Sequence, residues 1–105
     1  MSFLALDAQK SLLTLQRNQL QLQLMQNMSA ANMISREMNT IMKANPDTYD
    51  TDSTYLYYEQ MDEMYSTEKD SIESQITAID NEISSLKTMV TNNIKNTCSL
   101  NLIGS

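Results

Sequence analysis

The chain has 105 residues, a formal net charge of −6, no His, one Gly, one Pro and one Cys, with only 6 % aromatic residues. That acidic balance argues against binding nucleic acid or an anionic membrane surface. The missing histidine removes the commonest general base, the Ser-His and Cys-His nucleophile pairs and most zinc sites.

From Phe3 to about Ala44 there is neither Gly nor Pro, and Leu6, Leu13, Leu20, Asn27, Ile34 and Ile41 recur every seven residues. Leu24, Ala31 and Met38 hold the companion heptad place in the second half, where Lys10 and Arg17 stand in the first. A heptad of this kind predicts a long amphipathic helix that seeks a partner helix. Beside it runs a second stripe, Ala5, Ala8, Leu12, Leu15 and Leu22, which makes the apolar face broader than a two-stranded seam requires. Leu20-Gln-Leu-Gln-Leu24 alternates like a strand. Its residues are good helix formers and no turn signal flanks it, so helix is the reading.

Residues 45–52 are the break. Pro46 cannot continue a helix and pushes Asn45 out of the α region. Asp50, Asp52 and Ser53 are the candidate N-caps of a second helix. This second arm is expected from about Ser53 to about Asn96, and arms of some 40 residues would each be on the order of 60 Å long. Its seam is Ile72, Ile76, Ile79, Ile83, Leu86 and Val90, at steps of four, three, four, three and four. Backwards it continues through Tyr65, Met61 and Tyr58, but between Tyr65 and Ile72 the register slips onto Glu68 or Lys69. A stutter of this sort predicts a kink, a bend or a looser contact near residues 66–70, and Thr67 could cap a fresh helix there. Residues 97–105 form an apolar tail whose Leu100, Leu102 and Ile103 either dock on a neighbour or fray.

The expected fold is therefore all-α: a single antiparallel two-helix coiled-coil hairpin, with arms of about 3–44 and 53–96 joined by a Pro-containing loop. Residues 1–44 carry four bases against two acids, +2, and residues 45–105 three bases against eleven acids, −8. Opposite signs favour folding back side by side, and also head-to-tail contact between copies.

Candidate chemistry is sparse. Glu59 and Glu63 lie one turn apart, as solvated carboxylates or as a carboxylate pair. Asp47, Asp50 and Asp52 could offer oxygens to calcium, but the Gly an EF-hand loop needs is missing, so helix capping is the favoured role. No catalytic, cofactor or metal residue is assigned, and no cofactor is expected. The candidate partner-binding residues are Leu12, Leu15 and Leu22, with Tyr55 and Tyr58 from a group of tyrosines that fits either packing or an interface hot spot. The nine methionines fit a helical core or an adaptable binding surface. Cys98 allows no intramolecular disulfide and is expected to be inert. No stretch has the run of apolar residues a membrane span needs, and Asp7 interrupts the N-terminal apolar run, so no secretory signal is read.

Two amphipathic arms meeting at Ala44-Asn45-Pro46-Asp47, followed by an apolar tail, resemble the needle-filament subunits of type III secretion systems. Those subunits are usually shorter and have a second Pro in the turn. A similar plan is found in helical-hairpin export chaperones of flagellar and type III systems. The surplus stripe of Leu12, Leu15 and Leu22 and the sparse chemistry point to a non-enzymatic structural or assembly protein that self-associates or binds partner helices; the resemblance adds a secretion-type or filamentous apparatus, with synthesis in the cytoplasm and a signal-independent export route left open. The alternative is a small helical export chaperone or adaptor that binds another protein. A homo-oligomer is the expected state.

Overall fold

The computed structural model describes residues 2–104, with side chains through residue 95. It contains two long helices, α1 (Phe3–Ala44) and α2 (Ser53–Gly104), joined by a loop that holds a short 3-10 turn at Tyr49–Thr51; there is no strand among the described residues. The fold is an all-α helical hairpin.

Local chemistry sets the helix ends. Ser2 Oγ accepts a hydrogen bond from the Ala5 amide at 3.2 Å, which caps the start of α1. At the far end the amides of Thr48 and Tyr49 both donate to the Asn45 carbonyl, at 3.2 and 2.9 Å, and so turn the chain around Pro46. Asp52 then caps α2, its Oδ1 accepting from the Tyr55 amide at 2.9 Å. Of the three candidate caps, the aspartate nearest the helix does the work.

Two expectations about α2 need correction. The helix does not end near Asn96 but continues to Gly104, past Asn92, Asn93, Asn96 and Asn101, all of poor propensity, because nothing between Pro46 and Gly104 forbids helix. The Leu100, Leu102, Ile103 and Cys98 side chains lie outside the described residues. The helix also runs unbroken through residues 66–70. Thr67 is not a cap there, since its hydroxyl donates back to the Glu63 carbonyl at 3.2 Å. The stutter is absorbed by Lys69, which occupies the seam place half-buried while Glu68 stays exposed. A lysine can lay its aliphatic stem in a seam and keep its ammonium in water. What remains of the slip is a looser contact, a groove of about 200 Å³ lined by residues that include Asn27, Ala31, Tyr65 and Lys69.

The chain divides into two compact bodies. One holds the residues up to Leu20 with those from Gln75 onward, and the other holds Gln21–Ser74. In the first, Leu6 and Leu86 are buried, and Leu13, Leu20, Ile76, Ile79, Ile83 and Val90 are half-buried. In the second, Ile34 and Ile72 are buried, and Leu24, Ala31, Met38, Ile41, Tyr58, Met61 and Tyr65 are half-buried.

Each body also carries one polar tie between helices. In the first, Arg17 Nε donates to Asp80 Oδ1, and Arg17 Nη2 reaches Asp80 Oδ2 at 3.4 Å. The charged residue that interrupts the α1 heptad thus finds its counter-charge on α2. In the second, Asn27 is buried and its Nδ2 donates to the Tyr65 carbonyl at 3.1 Å. The Arg17 and Asp80 side chains are 32 % and 45 % exposed, so water screens the pair. A double-mutant cycle of Arg17→Met and Asp80→Asn, followed by urea unfolding, should return a coupling of no more than about 1 kcal/mol that shrinks in high salt. A coupling of several kcal/mol would mean that the pair is far better desolvated than its exposure indicates.

Candidate functional site

Two packed helices have too little interior to hide every apolar residue in this chain. Only Leu6, Ile34, Ile72 and Leu86 form a buried apolar core among the described side chains. The accessible surface is 7719 Å², against roughly 6,000 Å² for a compact monomer of this length. The difference is about twice the area that one partner contributes to a standard protein–protein interface, roughly 800 Å².

Much of the surplus is on α1. Leu12, Leu15 and Leu22 are exposed by 56, 54 and 56 %, and Leu4, Met25 and Met33 are exposed with them. The heptad places explain this. With Leu6 through Ile41 turned inward, these six fall on the outward places of the same repeat, where a solitary hairpin has nothing to cover them. Leu4, Met25 and Met33 extend the predicted stripe in both directions. Spacing alone picks them out only once the buried column is fixed.

The tyrosines divide differently. Tyr55 and Tyr58 are half-buried, on the inward side of α2, and Tyr57 is the exposed one. Tyr55 meets the Tyr49 ring edge-on, with centroids 5.1 Å apart, and Tyr57 and Tyr58 lie 5.9 Å apart. Loss of water around the Tyr55 hydroxyl, and then the nearby Glu59, Tyr49 and Asp50, push its pKa above the ordinary tyrosine value. Tyr55 is packed at the loop end of the hairpin, against Tyr49.

The charges are segregated as well. Glu59, Asp62, Glu63, Glu68, Asp70 and Glu73 are all exposed on α2. Lys69 approaches Glu73 at 3.9 Å, an i,i+4 pair with both side chains about half exposed. Between Arg17 and Arg36, by contrast, α1 carries no charge at all. The hairpin therefore presents an uncharged apolar surface on one helix and a carboxylate-rich surface on the other.

No family model, curated protein or solved structure matches the chain.

Chemistry is hard to build on these surfaces. Among the described residues no group of three acidic or Cys side chains is placed to hold a metal ion, and the Asp52 carboxylate of the loop is engaged as a cap. Among the described residues no helix is long and apolar enough to cross a membrane. The recesses on the second body are open grooves lined by Met, Asn, Ser and charged side chains. An outward apolar stripe on a long helix can recruit another helix, and its broad, uncharged face suits that role.

Proposed function

We propose that this protein is a non-enzymatic structural or assembly subunit, one that completes its core by self-association or by binding a partner helix. The observation that carries the proposal is the exposure of Leu12, Leu15 and Leu22 on the outward side of α1. A contiguous apolar stripe of large side chains is costly to leave in water and usually marks an interface. The plan of two amphipathic helices around Pro46 resembles that of needle-filament subunits and supports a place in a secretion-type or filamentous apparatus, with synthesis in the cytoplasm.

A second reading has its own support. Met25, Met28, Met33, Met42 and Met64 are all exposed, and unbranched thioether side chains adapt to differently shaped partners. That surface would suit a small export chaperone or adaptor.

Size-exclusion chromatography with light scattering, run over a range of concentrations, separates the two. A defined homo-oligomer or a polymer supports the structural subunit, and a monomer at every concentration moves the reading to the adaptor. In the first case Leu12→Asp with Leu15→Asp should reduce the particle to a monomer while circular dichroism stays helical, because both side chains point away from the hairpin seam. An unchanged mass would remove this stripe from the interface.

A further inference from the structure

The outward residues of α1 are arranged with a symmetry that selects their occupant. About the midpoint between Asn18 and Gln19, Leu15 and Leu22 are equidistant, as are Leu12 and Met25, Ala8 and Ser29, and Leu4 and Met33. All eight belong to the single helix α1, and the six large ones are 54–78 % exposed. At about 100° per residue, Leu4, Leu15, Leu22 and Met33 fall within about 20° of one another around the helix. Leu12 and Met25 flank that line on opposite sides, at about equal angles. Ala8 and Ser29 are small and fall between the large residues.

A two-fold interface is self-complementary: if residue i meets residue j, then j meets i. When two copies of one helix pack antiparallel, residues equidistant from the axis oppose each other. We infer that a second copy of this chain covers the stripe, α1 against antiparallel α1, with the two-fold axis passing between Asn18 and Gln19. This inference names the partner and geometry for the proposed self-association and rests on that reading. Leu15 of each copy then packs on Leu22 of the other, and Leu4 on Met33. At the axis, Asn18 and Gln19 face their counterparts with amides that can each donate and accept.

Charge argues for the same partner. Asp7, Lys10 and Arg17 are the only charges between Leu4 and Met33, and none of them lies on this line. Lys10 and Arg17 are half-buried on the seam side, and Arg17 is paired with Asp80. Two α1 faces therefore meet without opposing like charges. Two α2 faces would bring the exposed row from Glu59 to Glu73 against itself, and like charges across an interface cost several kcal/mol. Pairing through α1 covers its apolar stripe and leaves the exposed row from Glu59 to Glu73 in water.

Intermolecular spin-label distances test this on the full chain in a Cys98→Ser background, labelled singly at Asn18→Cys, Asp7→Cys or Asn32→Cys. The expected pattern is a short distance at position 18, under about 20 Å, with roughly 35 Å at position 7 and 40 Å at position 32, from the rise of 1.5 Å per residue on each side of the axis. Leu15→Asp with Leu22→Asp should abolish the signal while circular dichroism is unchanged. Short distances at all three positions would mean parallel packing and overturn the inference. An oligomer that keeps its mass in the Leu15→Asp, Leu22→Asp variant would also overturn it, while leaving self-association itself intact. A wild-type monomer at every concentration would instead remove the self-association reading along with it.

Discussion

Ile72→Ala is expected to lower the free energy of unfolding by roughly 2–4 kcal/mol, the usual range for removing a buried Ile and leaving part of its volume empty. Ile72 is 3 % exposed, as buried as any apolar side chain described. It is the first seam residue after the stutter at Lys69, so the residue one turn before it offers only an aliphatic stem to help fill the gap. Because so few side chains are fully buried, the loss is a large fraction of the 5–15 kcal/mol that a small domain has in total. Thermal melts at one fixed protein concentration should show a fall on the order of 10–20 °C. Ile94→Ala is the control: Ile94 is 48 % exposed, and its removal should cost less than about 1 kcal/mol. If both substitutions cost the same small amount, the hairpin is not held together by its buried seam residues.

The helices, the break between them and the cap were legible because each depends on near neighbours. Pro46 ends α1, Asp52 can reach the Tyr55 amide from three residues away, and seven-residue spacing needs no knowledge of the partner. What the sequence left open depends on residues distant in the chain. Asn27 reads as a gap in a column of Leu and Ile, and Arg17 as an interruption. Only with Tyr65 and Asp80 brought alongside do they become inter-helix ties. The stutter could be located but its outcome could not, because a break and a continuous helix differ by whether Lys69 finds room for its stem. Propensity underestimates the extent of α2 for a similar reason: Asn92, Asn93 and Asn96 disfavour helix without forbidding it. The outward stripe of Leu12, Leu15 and Leu22 is visible from spacing alone. Its extension to Leu4, Met25 and Met33, and the symmetry of the whole, required the exposure of each residue.

Asn27→Leu is expected to make the protein more stable and less well defined. Asn27 is 5 % exposed, and its Nδ2 donates to Tyr65. The Tyr65 carbonyl already accepts the helical hydrogen bond from four residues further on, so losing the amide does not orphan it. Leucine adds apolar area at a buried place without leaving an unsatisfied group, and the melting temperature should rise by several degrees. Asn27→Ala separates this from simple loss of the bond, because it gives up the amide and adds no apolar bulk; it should melt lower than the wild type. The cost of the leucine lies in register. The rest of the α1 column, Leu6, Leu13, Leu20, Ile34 and Ile41, is nearly interchangeable under a shift of seven residues. Asn27 is the member that tells one setting from the next. In a slipped hairpin its amide would meet apolar side chains, at a penalty of about 1–3 kcal/mol for a buried polar group without a partner. A single buried asparagine at a seam position sets register in coiled coils by this means. Spin labels at residues 10 and 87, in a Cys98→Ser background diluted with unlabelled protein so that only intramolecular pairs are read, should therefore give one sharp distance without the leucine and a broadened or divided distribution in Asn27→Leu. A variant that melts lower and keeps the sharp distance would make Asn27 an ordinary stabilising contact, and the choice of register would then fall to the Arg17–Asp80 pair, the short loop at Pro46 and the stutter at Lys69.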